Sequence, residues 1–260
     1  MATTEPIIQF SDVSFSFGSE KIYDRLSFSV QPGAFVCVLG PSGCGKSTSL
    51  RLMGGLIPSP EGKVLVAGQA PKDAWQNLAY VFQSPRLVPW RNAMKNVTLA
   101  VELRFGRGDN REREQKAREL LRLVGLENDM HKYPAALSGG ERQRVSIARA
   151  LAVDPPIILM DEPFSALDVN TRRRMRAEII DIWKRTQKTI VFVTHDVDEA
   201  LVLADQIVVL SRKPTRVIET ITLNEPRPRD VEKTPSLKEQ RTRLHGLLEG
   251  GADALEEATP

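Results

Sequence analysis

Ala34-Phe35-Val36-Cys37-Val38-Leu39 is an unbroken apolar run that passes without a spacer into Gly40-Pro41-Ser42-Gly43-Cys44-Gly45-Lys46-Ser47-Thr48. An apolar run of this length suits a strand buried on both faces of a parallel sheet. The segment after it fits the pattern G-x-x-x-x-G-K-[ST]. Glycines let successive backbone N–H groups curl round a phosphate chain. Lys46 places a point charge against the β- and γ-phosphates, and the hydroxyl of Ser47 is a ligand for Mg²⁺. A helix is expected to follow, through about Gly54. Strand, loop and helix in this order predict a nucleotide site.

Outward from this unit the same alternation repeats. Ile7–Phe17 and Leu26–Val30 alternate apolar and polar residues, as half-buried strands do. Val64–Ala67, Leu78–Phe82, Ile157–Met160, Thr189–Thr194 and Gln206–Ser211 read as further strands. Glu141–Leu151, Thr171–Thr186 and Asp198–Ala204 read as helices. Between them, residues of about 87–138 change character: Asp109–Leu126 carries alternating charge with leucines at helical spacing, so this stretch is expected to be a helical inset. The expected fold is α/β, with a mainly parallel core sheet and a helical inset. Residues 1–211 form the catalytic part. Residues 212–260 form a short extension: a strand over Thr215–Leu223, a Pro-rich linker over Asn224–Pro235, one short helix and a disordered tail from Gly250.

Three further elements carry chemistry. Ile157–Met160 leads into Asp161-Glu162, two carboxylates at the carboxyl end of a buried strand, where ligands of parallel sheets gather. Asp161 is placed to hold Mg²⁺ and Glu162 to act as general base on the attacking water. Gln83 and His195 follow strands in the same way. An amide at Gln83 suits both metal and water, and His195 suits the γ-phosphate, although a lone histidine is more often structural. Leu137-Ser138-Gly139-Gly140-Glu141-Arg142-Gln143-Arg144 joins two glycines and a hydroxyl to the start of a helix. Alone it is a turn and cap. Beside the P-loop it is a second phosphate-binding element.

Composition narrows the class. Thirty-six basic residues against 33 acidic ones leave a net charge of +3, too balanced to predict nucleic-acid binding. Thr171-Arg172-Arg173-Arg174-Met175-Arg176 is a local basic cluster that reads as a solvated helix face, with a phospholipid or nucleic-acid patch as the lesser alternative. No apolar run approaches a membrane span. The N-terminus lacks the pattern of a signal peptide, so the expectation is an intracellular chain whose membrane role comes through a partner. The two cysteines, Cys37 and Cys44, are expected to be unpaired, with Cys44 open to thiol reagents.

Taken together, Gly40–Thr48, Gln83, Leu137–Glu141, Ile157–Glu162, Ser165–Asp168 and His195, in this order, resemble the ATP-binding subunits of ABC transporters. The resemblance covers about Ile7–Ser211 and implies an α/β fold with a P-loop NTPase core around a mainly parallel sheet, an N-terminal antiparallel β-subdomain and an inserted helical subdomain. It implies ATP and Mg²⁺ as cofactors. It implies that two copies pair head to tail as a homodimer, with Ser138, Gly139 and Gly140 of one facing the γ-phosphate held by the P-loop of the other. It places Phe17 against adenine where the family usually has tyrosine, leaving Phe15 as strand core. Catalysis would rest on Glu162, His195, Gln83 and Lys46; Ser47, Gln83 and Asp161 would face the metal.

Within the family, three segments resemble importers of nitrate, sulfonate, taurine and related oxyanions. They are Leu87-Val88-Pro89-Trp90-Arg91, Asp161–Asp168, and Val208–Pro214 followed by Glu225-Pro226-Arg227-Pro228-Arg229. The implied partners are transmembrane permease subunits and a periplasmic or lipoprotein solute-binding protein, with the chain peripheral on the cytoplasmic face of the inner membrane. Trp90 either docks a permease helix or packs within the helical inset. The alternatives are a soluble ATPase of the same type acting on nucleic acid or ribosomes, and an exporter subunit.

Overall fold

The computed structural model describes residues 5–58, 60–106 and 108–250. In chain order the elements are β1 (Ile8–Phe17), β2 (Glu20–Val30), β3 (Phe35–Leu39), α1 (Lys46–Met53), β4 (Glu61–Val66), β5 (Leu78–Val81), α2 (Ala93–Phe105), α3 (Asn110–Leu123), α4 (Gly139–Leu151), β6 (Ile157–Asp161), α5 (Val169–Thr186), β7 (Thr189–Thr194), α6 (Val197–Leu203), β8 (Gln206–Leu210), β9 (Val217–Thr222) and α7 (Pro235–Gly250). They fall into two compact units. One joins the residues up to Asn77 to those from Lys188 onward, and the other is Leu78–Gln187. The α/β class expected from the strand pattern is observed.

In the first unit, β1 pairs antiparallel with β2 and β4. Phe10 of β1 stacks on Phe28 of β2 with ring centroids 4.6 Å apart. The second strand is longer than Leu26–Val30. It starts at Glu20, because Phe17 pairs with Glu20 across a tight turn and the exposed charges of Glu20, Lys21 and Arg25 line its outer edge. β3 lies between β7 and β8, parallel to both, and β9 closes the edge antiparallel to β8. Every residue of β3 and β7 is buried, which is why neither strand alternates.

Residues 224–235 do not behave as a linker. Arg229 is 9 % exposed and donates to four backbone carbonyls: Nε to Glu225 (2.8 Å), Nη1 to Leu201 (3.0 Å) and Ala204 (2.5 Å), and Nη2 to Leu223 (3.3 Å). Arg227 donates twice to the Leu203 carbonyl and pairs with Asp205 at 2.7 Å, and the other Asp205 oxygen accepts the Phe35 N–H. The last carbonyls of a helix have no partner within it, and a cation at that end also complements the helix dipole. The two arginines meet both needs at the end of α6. Leu237 and Leu244 of α7 are fully buried, and Arg241 of α7 pairs with Asp198 of α6 at 3.0 Å. The expected disordered tail lies, beyond Gly250, outside the described residues.

In the second unit β5 and β6 are parallel neighbours. α2 and α3 lie where the helical inset was expected, and α2 and α3 each pack on α4. Asn96 of α2 is fully buried. Its amide donates to the carbonyls of Val88, Arg91 and Asn92 and its oxygen accepts the Val88 N–H, so one side chain fastens the loop before the helix. Among the described residues, no helix is long and apolar enough to cross a membrane.

Replacing Arg229 by Met keeps the stem and removes the donors, leaving buried carbonyls short of a partner. The Arg229→Met chain is expected to lose roughly 2–3 kcal/mol. Denaturant unfolding measures this, and a loss under half a kcal/mol would contradict the role given to the guanidinium.

Candidate functional site

The glycine-rich loop opens directly from the buried end of β3. Gly45, at φ +103°, is in the left-handed region, and a Cβ there would meet Ile22 Cγ2 at 2.8 Å and Tyr23 Cε1 at 3.0 Å. Only glycine meets both demands. Lys46 is buried, and its Nζ donates to the Gly40 and Pro41 carbonyls, each at 2.9 Å. The ammonium is thereby held across the mouth of its own loop. Ser42 and Gly43 are exposed. Gly45 also begins α1, since its carbonyl accepts the Ser49 N–H at 3.0 Å. Pro41, Ser47 and Thr48 complete the loop, with Thr48 buried. Cys44 is 2 % exposed and burial pushes its thiol up, so the expected openness to thiol reagents does not fit its position. Cys37 is buried in β3, and both cysteines are unpaired.

Register brings His195 to the same edge. Leu39 of β3 pairs with Thr194 of β7, so Gly40 and His195 are the next residues to leave two adjacent parallel strands. His195 is exposed there. The turn that follows is built by its neighbours: the Thr194 hydroxyl donates to Glu199 at 2.6 Å and accepts the Asp196 N–H at 3.0 Å. Phe17, at the end of β1, is 46 % exposed and meets Phe15 edge-on with centroids 4.9 Å apart. Phe15 in turn tilts against the buried Tyr23, so Phe17 is the outward ring of the pair.

The second unit repeats this arrangement. Val81 of β5 pairs with Met160 of β6, so Gln83 and Asp161-Glu162 emerge from neighbouring parallel strands. Asp161 is buried and accepts from the Tyr80 hydroxyl at 3.2 Å. Glu162 has φ +40°, which is sparsely populated for a residue with a Cβ. Its surroundings hold it there: the Ser165 hydroxyl and N–H both donate to the Glu162 carbonyl, at 3.0 and 3.2 Å. Gln83 is exposed, and its amide donates to the Ser165 hydroxyl at 3.1 Å. The amide expected to face a metal and a water therefore also links this loop to the backbone of Glu162.

Ser138-Gly139-Gly140-Glu141 opens α4 two residues earlier than expected from sequence. Ser138 is the N-cap. Its hydroxyl accepts the Glu141 N–H at 3.2 Å while the Glu141 carboxylate accepts the Ser138 N–H at 2.7 Å, a reciprocal capping box. That backbone bond holds the Glu141 carboxyl below its usual range. Ser138 and Gly139 are exposed, and Gly140 is buried against Thr171, where a Cβ would come within 2.7 Å of the methyl.

Two residues that touch the phosphate loop escaped the sequence reading. The Tyr23 hydroxyl donates to the Gly45 carbonyl and the Thr215 hydroxyl donates to the Cys44 carbonyl, each at 2.5 Å. Neither belongs to a recognisable motif, and Thr215 lies 171 positions from its acceptor. Thr215 was expected only as part of a terminal strand.

The ABC transporter family model matches residues 23–165. The chain belongs to the ABC transporter family. Among the curated relatives of this cassette is the taurine import ATP-binding protein TauB of Rhizobium johnstonii, 41 % identical over 88 % of this chain and 90 % of that one. The TauB of Escherichia coli K12 is 38 % identical over 84 % of this chain and 85 % of its own. The aliphatic sulfonates import ATP-binding protein SsuB 2 of Pseudomonas syringae pv. syringae is 42 % identical, over 93 % and 81 %. Among solved structures, a dimeric ATP-binding cassette in a post-hydrolysis state bound to ADP and Pi is 32 % identical. It aligns over 84 % of this chain and all of that one with a TM-score of 0.73.

The Gly140 contact can be tested without assuming anything about ligand. Alanine gains helix propensity over glycine but must displace the Thr171 methyl, so Gly140→Ala is expected to destabilise the cassette by about 1 kcal/mol net. Gly140→Ala with Thr171→Ser removes the methyl and should return the melting temperature to that of Thr171→Ser alone. An undiminished loss in the double variant would refute the contact.

Proposed function

We propose that this chain is the ATP-hydrolysing subunit of an importer, powering uptake of a small sulfonate- or taurine-type oxyanion through a membrane permease. The observation that carries the enzymatic part is Glu162 held at φ +40° directly after a fully buried strand; the buried Lys46 of the glycine loop supports it independently. Strain of this kind persists only where the surroundings over-determine it, and such positions cluster at functional sites. The names of the relatives favour import over export and over action on nucleic acid.

In this reading two copies pair head to tail. The P-loop Gly40–Thr48 of one cradles the phosphates of ATP, Phe17 lies against adenine, and Lys46 neutralises charge on the β- and γ-phosphates. Ser138, Gly139 and Gly140 of the other copy face the γ-phosphate; the exposure of Ser138 and Gly139 at a helix start supports this. Glu162 takes a proton from water as its oxygen attacks the γ-phosphorus and the bond to the β-phosphate oxygen breaks, giving ADP and phosphate. His195 contacts the γ-phosphate, and Gln83 orients the water.

Mg²⁺ suits the donors present. Ser47 and Asp161 offer hard oxygen ligands, and among the described residues there is no group of three or more His, Cys, Asp or Glu that would make a dedicated protein cage. Magnesium is commonly held by one or two protein oxygens together with phosphate and water. Gln83 is the third residue proposed to face the ion, which would supply charge neutralisation at the phosphates when bound.

The loop around Trp90 fits permease docking rather than packing within the inset. Trp90 is 77 % exposed, on a loop fastened by Asn96, and Arg91 beside it pairs with Glu102 of α2 at 3.7 Å. Leu103 and Phe105 at the end of α2 are exposed as well. The chain then sits on the cytoplasmic face of the membrane, peripherally, with a solute-binding protein on the far side. Residues 1–211 supply the catalytic cassette, inset about 87–138 included, and 212–260 its extension.

Glu162→Gln keeps shape and removes the base. Nucleotide affinity is expected to stay within a few-fold of the unaltered chain while ATP turnover falls by at least about a hundredfold. Phosphate release and fluorescent-nucleotide titration measure the two. Turnover within a few-fold of normal would overturn the assignment of Glu162.

A further inference from the structure

The phosphate loop binds through backbone N–H groups, so its function depends on which way each peptide faces. In a planar trans peptide, the carbonyl and the following N–H point in opposite directions. Holding the Cys44 carbonyl to one side therefore turns the Gly45 N–H to the other, and holding the Gly45 carbonyl turns the Lys46 N–H. Both carbonyls are held. The Thr215 hydroxyl donates to Cys44 O and the Tyr23 hydroxyl donates to Gly45 O, each at 2.5 Å, and Gly45 O also accepts the Ser49 N–H of α1 at 3.0 Å. Tyr23 and Thr215 are both 0 % exposed, so water does not compete for these bonds.

The two donors are also fixed to each other. Tyr23 and Thr215 form an isolated parallel bridge, with the Thr215 N–H donating to Ile22 O at 2.7 Å and the Asp24 N–H to Thr215 O at 3.2 Å. Exposed pairs flank the bridge: Lys213 with Glu20 at 2.7 Å, and Arg216 with Asp24. The segment between β8 and β9 thus reaches back to β2, and the two together back the loop with a rigid pair of hydroxyls. Burial pushes the Tyr23 hydroxyl well up, so it remains a donor throughout the usual pH range.

We propose that Tyr23 and Thr215 are positioning residues for nucleotide binding: their hydroxyls lock the 44–45 and 45–46 peptides with N–H groups facing the phosphate chain. The inference rests on the ATP-binding reading of the P-loop. It gives residue 215, beyond the expected cassette boundary, a part in the nucleotide site.

The test compares hydroxyl with shape. Full-length Thr215→Val, Thr215→Ser and Tyr23→Phe chains, with Lys46→Ala as reference, are titrated with mant-ATP and assayed for turnover. Thr215→Val is nearly isosteric and lacks the donor; Thr215→Ser keeps the donor and loses the methyl. Thr215→Val and Tyr23→Phe are expected to weaken mant-ATP binding about three- to tenfold and to raise KM for ATP by more than they lower kcat. Thr215→Ser should stay within about twofold of the unaltered chain. Equal weakening by valine and serine would show packing rather than hydrogen bonding and overturn the proposal. So would normal binding by both Thr215→Val and Tyr23→Phe while Lys46→Ala loses binding. If the unaltered chain itself bound no mant-ATP, the nucleotide reading would fall and this proposal with it. Tyr23→Phe, which removes one oxygen from an intact ring, decides the matter if Thr215→Val does not fold.

Discussion

The in-register parallel pairing of β3 with β7 is the constraint on which the nucleotide site of the first unit depends. Leu39 opposite Thr194 means that the P-loop and His195 start at the same level on neighbouring strands. A shift of one residue would turn every side chain of β3 to the other face and carry the loop with it. That register comes largely from burial, since all eleven residues of the two strands are buried, and the Thr189 hydroxyl at the start of β7 adds a polar tie by accepting the Gly33 N–H at 2.9 Å. β5 and β6 use the same device, with Val81 opposite Met160, to bring Gln83 and Asp161-Glu162 to one edge. The chemistry stands on loops, but apolar strands decide where the loops begin.

The legible parts of the chain were those whose signal is local. Continuous apolar runs marked β3, β6 and β7, and the glycine pattern marked the phosphate loop, because strand burial and backbone conformation are written in adjacent residues. The start of α4 was placed two residues late, since Gly139 and Gly140 read as turn formers while the capping box of Ser138 and Glu141 draws both into the helix. β2 was read too short because its outer half is charged, and its pairing with β1 rather than its hydropathy makes it a strand.

What could not be read is long-range. Arg227 and Arg229 sit among prolines and charges, a composition that suggests a linker, yet besides the nearby Glu225 and Leu223 carbonyls their acceptors are the closing carbonyls of α6 and Asp205, more than twenty positions earlier. The donors behind the P-loop come from residues 23 and 215, which only the fold brings together. The positive φ of Glu162 likewise has no trace in the residue type. Each case is a polar group whose partner is chosen by the fold, and no periodicity encodes that choice.

The expected division of labour makes this chain half of each ATP site. In the proposed dimer its P-loop would serve its own nucleotide, and its exposed Ser138-Gly139 start of α4 would serve the nucleotide of a second copy. The relation to a dimeric cassette solved with ADP and Pi accords with this. The most direct test is the ATPase rate per chain as the protein is diluted far below the concentration at which dimers form. If each site needs two chains, the rate per chain falls on dilution and recovers on reconcentration. A rate per chain independent of concentration, in a sample shown by sedimentation to be monomeric, would contradict the composite site.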